Sequence, residues 1–582
     1  MEKEAYICKI CNISSLKKFI SFGKMPVANA FLKPDQLHKE EYFYDMEVGF
    51  CEDCMMVQMI NLVPYDKYIV PDKTGKTQYA FFSSTSKVME QHFAAVADEI
   101  QKKFLQDQDK VLEIGCNDGI FLKNFDNRKV LGIEPSGNVA DVARARDISV
   151  ISDFFTERLA ADIVNRYGTF KAIFSANVIL NIIEIHEVVE GVKKLLDNEG
   201  VFVMEDPYIV DILESNSYDQ IYDEHIWYFS LLSLHNLFTM HGMELFDAQR
   251  EGVHGGSMRI YACRKGTREK TQRLKKYMEE EKQKKIDSFA VYEAFAHRVE
   301  KNREAFRNLI YELKKQGKKI VGYAAASKGT IVQNYCDLGT NVIDYISDST
   351  PFKQGLFSPG KHIPIVSPDV FHEDVKNNKV DYAIIFAWNH TKEIMAKEDK
   401  FMKKGGKFIV HLPQPRILSD EGEKTHADTT QRSDLIEGVA VKKLKIFAND
   451  QGYLFETLRN DDSFYDKEFG QVLMFEVYPG VIKGYHLHEK HDEYISCVKG
   501  NIKYVIVKEY PDGSHKINTF VLGERNPMLL KIPRGLWRGY MPLGNQPAMV
   551  MDIMSRPYNS QDPDTKEKDV FAFGDVWSVR KG

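Results

Sequence analysis

Helical and strand-like hydrophobic patterns alternate in two long stretches of the chain. After residue 80, the amphipathic segment SKVMEQHFAAVADEIQKKF is followed by the short apolar runs KVLEIGC, VLGIEPS, KAIFSAN and VFVMEDP. The alternation returns at KKIVGYAAASKG and continues through VIDYISDS, DYAIIFAWN and GKFIVHLP. Helices that alternate with buried strands are typical of doubly wound parallel sheets. We therefore expect two three-layer α/β domains, at residues 76–265 and 317–420.

The other stretches predict simpler units. Residues 1–75 contain short strand-like pieces around two Cys pairs, which predicts a small metal-stapled domain. Residues 266–316 are highly charged with apolar positions at helical spacing, and predict one or two solvated connector helices. The polar residues 421–440 predict a linker. From 441 to 582, short strands between Pro, Gly and Asn turns predict an antiparallel β cupin barrel.

Composition excludes several classes of protein. At 582 residues and 67.0 kDa, the chain is too long for one hydrophobic core. A formal charge of −6 and a pI near 6.3 argue against a nucleic-acid binder. No apolar run reaches the roughly 20 residues of a membrane span, and the opening MEKEAYICKICN lacks the apolar core of a signal peptide. We expect a cytoplasmic, multidomain protein with no nucleic-acid or membrane partner.

Four cysteines form two close pairs, Cys8 with Cys11 and Cys51 with Cys54. A two-residue spacer lets both sulfurs of a pair reach one ion, and four thiolates suit tetrahedral Zn²⁺. Because protein ligands fill every position, we expect a structural zinc; redox chemistry is the weaker alternative. The remaining cysteines are expected to be buried single residues: Cys116, Cys263, Cys336 and Cys497.

A glycine turn follows the first strand of the larger α/β domain. Residues 111–119 have the sequence VLEIGCNDG, in which Gly115 and Gly119 would let the backbone approach a ligand. A dinucleotide fingerprint needs glycine where Asn117 stands, and no Walker lysine follows. The spacing therefore disfavours both a nicotinamide cofactor and a nucleoside triphosphate.

This turn resembles motif I of class I methyltransferases, which use S-adenosylmethionine. The resemblance implies that Glu113 lies near the methionine moiety and that Glu134, at the end of the next strand, holds the ribose hydroxyls. A helix N-terminal charge is the alternative for Glu134. Asp153 and Phe154 would bracket the adenine. The resemblance assigns these residues to the cofactor: Glu113, Gly115, Asn117, Gly119, Glu134, Asp153, Phe154 and Asn177.

Residues 222–229, YDEHIWYF, concentrate groups that can hold or move protons. A histidine beside a glutamate suits removal of a proton next to a ketone, because such a base is poised near neutral pH. A structural histidine in an aromatic core is the alternative for His225.

Five motifs together resemble the sugar C-3 methyltransferases of deoxysugar pathways: YDEHIWYFS, HGGSMR, GYAAASKG, FKQG and AWN. The resemblance covers about residues 5–415. It implies a nucleoside-diphosphate 4-keto-6-deoxy sugar as substrate, with His225 removing the C3 proton and the enediolate attacking the cofactor's methyl group. Tyr222 and Glu224 would orient the base or stabilise the enediolate. An O- or N-methyltransferase, or a scaffold that retains the cofactor fold, remains the alternative.

The same resemblance assigns residues to the sugar-nucleotide pocket: Tyr79, Asn181, Ser327, Lys328 and Asn389. Asn181 stands where the family often has a histidine. An amide can hydrogen-bond a sugar oxygen but cannot act as a base, so His225 is expected to carry the proton transfer.

The spacing of Gly480, His486, His488, Glu493 and Gly500 matches the first cupin motif. His-x-His places two imidazoles on one face of a strand. The second motif would add a histidine, but Arg538 stands there and disfavours a metal.

The segments GYH, IPRGLWRGY and SRPYN resemble deoxythymidine-sugar 3,5-epimerases and, through HLH, the 3,4-ketoisomerases. The resemblance implies His486 as base, with His488 and Arg538 in the substrate site. The family's lysine is replaced by Glu493, its aspartate by Arg556, and its tyrosine acid by residues near Asp552. An epimerase, a ketoisomerase, a noncatalytic binding or dimerising barrel and a metal cupin therefore remain open. Such barrels commonly pair by exchanging strands, so we expect a homodimer.

Overall fold

The computed structural model describes residues 6–64, 67, 82–125, 130–419, 422–424, 435–444, 446–449, 452–460, 462, 465–524, 526–544, 546–561 and 563–577. The chain divides into two compact units, Met1–Gly422 and Glu423–Gly582. The predicted combination of α/β domains with an antiparallel cupin barrel is confirmed. Among the described helices, none is both long and apolar enough to cross a bilayer.

The first unit opens with an antiparallel sheet of Leu16–Pro26 (β1), Phe43–Cys51 (β2) and Val57–Met59 (β3). β3 also pairs with Trp227–Tyr228, which begins two residues after His225. The small domain is thus continuous, through one sheet, with the segment that carries His225.

The larger α/β domain contains these strands and helices: Lys87–Phe104 (α1), Val111–Ile114 (β4), Val130–Ile133 (β5), Gly137–Arg144 (α2), Val150–Ile151 (β6), Glu157–Tyr167 (α3), Phe170–Ala176 (β7), Ile185–Leu195 (α4), Leu196–Pro207 (β8), Ile209–Ser215 (α5), Trp227–Tyr228 (β9), Leu231–Met240 (α6), Met243–Glu251 (β10) and Ser257–Arg264 (β11). Helix α1 begins where Ser86 accepts a hydrogen bond from the amide of Met89, and it buries an apolar stripe that includes Phe93 and Ile100.

The sheet of this domain has the strand order β10-β11-β8-β7-β4-β5-β6. All neighbouring pairs from β8 to β6 are parallel, and β11 is antiparallel to β8 and β10. The chain proceeds from β4 outward to β6 and then returns to β7 on the other side of β4. Ligands bind at such a reversal of strand order, at the carboxyl ends of the strands. The glycine turn after β4 lies at this point.

Two helices follow, Gln272–Gln283 (α7) and Phe289–Lys315 (α8). The prediction of solvated connector helices is wrong for α8, which buries an apolar stripe. Its Tyr292 ring stacks on Phe50 at 4.4 Å and contacts Phe19 at 5.3 Å, between ring centroids. The apolar positions at helical spacing were visible in the sequence, but the many charges on the outer face of the helix led to the prediction of a solvated helix.

The second α/β domain contains these elements: Ile320–Tyr323 (β12), Ser327–Tyr335 (α9), Ile346–Ser347 (β13), Ile365–Val366 (β14), Pro368–Lys376 (α10), Tyr382–Ile385 (β15), Thr391–Lys397 (α11), Asp399–Lys403 (α12), Lys407–Val410 (β16), Arg416–Ser419 (β17) and Gly422–Lys424 (β18). The strand order is β14-β13-β12-β15-β16-β17-β18, parallel from β14 to β16. One hydrophobic core extends through both α/β domains and the small sheet.

The second unit contains only strands among its described residues: Ala440–Lys443 (β19), Ile446–Asn449 (β20), Gly452–Phe455 (β21), Gln471–Val477 (β22), Lys483–Leu487 (β23), Glu493–Lys499 (β24), Asn501–Glu509 (β25), His515–Gly523 (β26), Met528–Ile532 (β27), Trp537–Pro542 (β28), Ala548–Met554 (β29) and Lys566–Glu567 (β30). They form sheets of order β19-β27-β24-β29-β22 and β26-β25-β28-β23-β30, plus the hairpin β20-β21. The predicted linker lies largely outside the described residues.

Candidate active sites and zinc site

The four cysteines of the small domain lie together, as their spacing predicted. Their sulfur atoms all lie within 4.8 Å of one another. The sulfurs of Cys8 and Cys54 are 3.5 Å apart, and those of Cys11 and Cys51 are 3.6 Å apart. A tetrahedral zinc with bonds of about 2.3 Å needs sulfur separations of roughly 3.8 Å, so this set fits the ion.

Polar groups around the cysteines favour thiolates. The side-chain amide of Gln58 and the backbone amide of Ile10 both donate to the sulfur of Cys8, at 3.0 and 3.3 Å. The hydroxyl of Ser15 lies 3.0 Å from the sulfur of Cys51. Such outer contacts orient metal ligands. The other four cysteines are buried, as predicted.

The glycine turn after β4 has left-handed backbone at Gly115, Asn117 and Gly119. A Cβ at Gly115 would collide with Val178, and one at Gly119 with Ile148. The glycines therefore let the turn pack against protein atoms, a role that the sequence analysis did not assign. The amide of Ser83 donates to the Asn117 side chain at 3.1 Å, so the segment before α1 is fixed to this turn.

Two carboxylates lie at the carboxyl ends of β4 and β5. Glu134 accepts hydrogen bonds from the amides of Ser136 (2.8 Å) and Asn117 (3.0 Å). Glu113 is buried, and its Oε2 atom has no hydrogen-bond partner among the described residues. Burial, with Glu134 nearby, raises the pKa of Glu113 well above its usual range. An orphaned buried carboxylate here suits a cationic ligand group such as the ammonium of a methionine moiety.

The other residues assigned to the cofactor lie at neighbouring strand ends. Asp153 and Phe154 follow β6, and the Phe154 ring is 47% exposed. Asn177 follows β7 in a left-handed conformation, and its backbone amide donates to the backbone carbonyl of Glu205. The amide nitrogen of Asn181 lies 3.4 Å from the carbonyl of Asn177, while its Oδ1 is buried without a partner in the described part of the chain.

His225 is half-buried, and its Nδ1 lies 2.9 Å from the carbonyl oxygen of Gln220. A carbonyl can only accept, so Nδ1 carries the proton and donates it in this hydrogen bond. The basic lone pair of the neutral ring is therefore on Nε2. The ring of Tyr222 lies against the imidazole, with 4.0 Å between centroids. The contact holds the imidazole in one orientation.

Two adjacent carboxyl groups precede the histidine. Burial, with Glu224 beside it, raises the pKa of Asp223 to about 7. Burial also raises the pKa of Glu224, while a hydrogen bond from Asn29 and the charge of Lys353 act in the opposite direction. Burial lowers the pKa of Lys353, whose ammonium donates to the carbonyl of Ala325 at 2.8 Å. Among the described residues, the segment is thus a largely buried cluster of acidic groups near the Lys353 ammonium.

The second α/β domain brings further predicted residues toward this cluster. Ser327 begins α9 and donates to Asn29 at 2.9 Å. The Lys328 ammonium lies 5.2 Å from the centroid of the Trp388 ring, next to Asn389. Tyr79 lies outside the described residues.

The interior of the barrel holds a polar cluster on facing strands. Arg538 is completely buried and donates to Glu493 at 2.5 Å. Burial alone would raise the pKa of Glu493, but Arg538 and His488 hold it well below its usual range. His486 is paired across β23 and β28 with Arg538. Burial, despite Glu493, lowers the pKa of His486 to about 4, so its imidazole is neutral near pH 7.

His488 is placed differently from His486. Its Nδ1 contacts the carbonyl oxygen of Asp564, and its Nε2 lies 3.1 Å from Glu493. An oxygen atom lies beside each ring nitrogen, so contacts on both sides hold the His488 ring in place. Asp564 also contacts His491 at 3.1 Å, whereas Arg556 is exposed. Asp564 thus holds His488 and His491, and the replacement of the family's aspartate by Arg556 stays a prediction.

Comparison with known proteins identifies both units. Residues 8–68 match a zinc binding domain family, residues 88–248 a methyltransferase domain, and residues 252–413 the C-methyltransferase C-terminal domain. The C-methyltransferase NovU of Streptomyces niveus is 32% identical over 418 residues, which cover 71% of this chain and 97% of NovU. The chain belongs to the C-methyltransferase family.

This C-methyltransferase carries a second, separate family match. Residues 434–572 match the dTDP-4-dehydrorhamnose 3,5-epimerase family. The spore coat polysaccharide biosynthesis protein SpsL of Bacillus subtilis is 38% identical over 134 residues, 23% of this chain and 88% of SpsL. The solved structure of a dTDP sugar isomerase from Desulfovibrio desulfuricans is 23% identical. The match covers 23% of this chain and 85% of the isomerase chain, with a TM-score of 0.22. The predicted fusion of a C-methyltransferase with a sugar epimerase domain is confirmed.

The C-methyltransferase structure adds residues that the motifs did not single out. Asp219 is buried, and its carboxylate accepts from Trp388 at 2.8 Å and contacts His411 at 3.0 Å. Asn29, from the small domain, contacts Glu224 at 2.6 Å. Each of these contacts joins residues far apart in the chain, so no local pattern could reveal them.

Proposed function

We propose that this enzyme transfers a methyl group from S-adenosylmethionine to C3 of a nucleoside-diphosphate 4-keto-6-deoxy sugar. The observation that carries the proposal is the fixed tautomer of His225, which leaves a basic Nε2 in a segment lined by Tyr222, Glu224 and Lys353. A neutral imidazole is the base that removal of a proton next to a ketone requires.

His225 takes the C3 proton on Nε2, and the electron pair of the broken C–H bond passes into the enediolate. The buried Lys353 cation favours negative charge in this region. When bound, S-adenosylmethionine would supply the electrophilic methyl group for C3 of this enediolate, and S-adenosylhomocysteine would be the leaving group. Oδ1 of Asn181 has no hydrogen-bond partner in the described part of the chain, which suits a hydroxyl of the sugar. Ser327, Lys328 and Asn389 would contact the sugar nucleotide.

Two cofactors fit the residues present. Glu113, whose Oε2 has no hydrogen-bond partner among the residues that the structure describes, would hold S-adenosylmethionine together with Glu134 and the turn of Gly115, Asn117 and Gly119. Asp153, Phe154 and Asn177 would lie around the cofactor. The four thiol groups would hold one structural zinc. Thiolate ligands persist in a reducing compartment, which supports a cytoplasmic location.

The barrel would epimerise the same class of sugar, with neutral His486 as base. Asp552 supports an acid role, because it is buried with one oxygen unpartnered among the described residues. Burial, with Glu493 nearby, raises the pKa of Asp552 well above its usual range, which favours the protonated form. Arg538 and His488 would bind substrate. The ion pair of Arg538 and Glu493 disfavours a metal between the histidines.

We also propose a homodimer formed through the barrel. Strand β22 lies at the end of its sheet, and three consecutive apolar residues on it are 42–60% exposed: Val472, Leu473 and Met474. An exposed apolar edge strand favours pairing with a second strand. Light scattering of the purified protein would give the mass of a dimer, and a monomer would contradict the proposal.

The substrate is tested by incubation with 4-keto-6-deoxy sugars on thymidine, guanosine and cytidine diphosphates. In the presence of S-adenosylmethionine, we expect the mass of one of these sugar nucleotides to increase by that of a methyl group in place of a hydrogen. One equivalent of S-adenosylhomocysteine should form. If none is methylated, while the protein holds zinc and binds the cofactor, the proposed substrate class is wrong.

A further inference from the structure

The small zinc-binding domain contributes a side chain to the cluster around His225. Nδ2 of Asn29 donates to Oε1 of Glu224 at 2.6 Å, and Oδ1 of Asn29 accepts from the hydroxyl of Ser327 at 2.9 Å. Asn29 is 195 positions from Glu224 and 298 positions from Ser327 in the sequence. One amide therefore joins the small domain, the catalytic segment and the start of α9.

The backbone beside Asn29 is fixed by the same two neighbours. The amide of Ala28 donates to Asp223 at 2.8 Å, and the carbonyl of Ala28 accepts from the Thr330 hydroxyl at 2.9 Å. Ala28 is completely buried. Four hydrogen bonds thus tie this stretch to the catalytic segment and to α9, two from the backbone of Ala28 and two from the side chain of Asn29.

The orientation of the Asn29 amide follows from its partners. A carboxylate only accepts, so the NH₂ group must face Glu224, and the Ser327 hydroxyl then donates to the amide oxygen. A neutral donor at 2.6 Å favours the ionised form of the carboxyl group. Lys353 also lowers the pKa of Glu224, whereas burial raises it. His225 is the next residue in the chain.

We propose that Asn29 is a positioning residue for methyl transfer, which fixes the carboxylate of Glu224, the residue that precedes His225 in the chain. The zinc-binding domain is then part of the catalytic apparatus, and the zinc holds the domain that presents Asn29. The inference rests on the proposed function, since it assigns a role in that reaction.

The test is the isosteric substitution Asn29→Asp, which replaces the donor with an oxygen facing Glu224. Two facing carboxyl groups cannot both ionise easily, so Glu224 takes up a proton at a higher pH. We expect kcat for methyl transfer to fall by about 10- to 100-fold, with less than about a threefold change in KM for the sugar nucleotide. The acidic limb of the kcat–pH profile should move upward by about one unit.

A matched control is Asn165→Asp, which adds the same charge to the exposed face of α3. It should keep the kcat and pH profile of the unsubstituted enzyme. Zinc content and affinity for S-adenosylmethionine report whether Asn29→Asp is folded. An unshifted profile with full kcat in the folded variant would overturn the proposal.

Ser327→Ala provides a second test should Asn29→Asp fail to bind zinc. It removes the donor that fixes the Asn29 amide, so we expect kcat to fall by about 3- to 10-fold. A change confined to KM would mean that Ser327 only contacts substrate, and would contradict the positioning role. If the unsubstituted enzyme transfers no methyl group, the proposed function itself fails, which is distinct from a failure of the variants.

Discussion

At the scale of single residues, the partners of each histidine separate the two proposed bases, His225 and His486, from His488. His225 is held through Nδ1 by a backbone carbonyl, and His486 is neutral because it is buried beside Arg538. His488, two residues away, is held by contacts on both ring nitrogens. The same residue type therefore serves as base or as a fixed contact according to its partners.

For His225, the informative substitution is His225→Asn, whose amide can keep the hydrogen bond to Gln220 but cannot take a proton. We expect the rate of methyl transfer to fall by about 10²- to 10⁴-fold, the usual contribution of a general base. Affinity for S-adenosylmethionine, measured by calorimetry, should be unchanged. His297→Asn, on the exposed face of α8, should have full activity. A His225→Asn enzyme with normal turnover would remove the proposed base.

The low pKa of His486 predicts the pH dependence of the barrel. The functional form is the neutral imidazole, so activity is lost as pH falls through the pKa of about 4, and not near 6.5. Exchange of the substrate's α-proton with solvent deuterium can be followed by NMR across this range, in a chain that also carries His225→Asn to silence the other site. An acidic limb near pH 6.5 would contradict the neutral assignment.

At the scale of elements, helix α8 is a structural member of the first unit. Tyr292 is completely buried, stacks on Phe50 of β2 and donates to the carbonyl of Ile286 at 2.8 Å. We expect Tyr292→Ala to cost about 3–5 kcal/mol, because it leaves a cavity. Glu304→Ala, on the exposed face, should change stability by less than about 0.5 kcal/mol.

Hydrogen exchange of the backbone amides in β1 and β2, measured in both full-length variants, tests this difference. We expect protection to fall in Tyr292→Ala and to stay unchanged in Glu304→Ala. Equal protection in both would mean that α8 does not support the small domain, contrary to its contacts with Phe19 and Phe50.

Much of the fold and of the site follows from local sequence. The Cys pairs, the turn at Gly115 and the segment around His225 are all contained within a few residues, and the structure places each at a strand end or in a cluster. Contacts between residues far apart in the chain, such as that of Asn29 with Glu224, depend on how the domains pack. No short motif in the sequence marks them. Charge on α8 led to the prediction of a solvated helix, although Tyr292, Phe295 and Val299 recur at helical spacing.

At the scale of the whole molecule, the two sites lie in separate compact units. We expect the activities to be separable by substitution. His486→Asn should abolish proton exchange by the barrel and keep methyl transfer to a supplied 4-keto sugar. His225→Asn should do the reverse. Loss of both activities from either substitution, in a protein that still binds zinc and cofactor, would contradict two independent sites.

The most direct test of the central claim is the bond that the enzyme makes. The protein is incubated with S-adenosylmethionine that carries a ¹³C-labelled methyl group and with the keto-sugar nucleotide that it accepts, and the product is analysed by carbon NMR. The account predicts a methyl signal coupled directly to the ring carbon C3. A methyl signal attached to oxygen or nitrogen would contradict it.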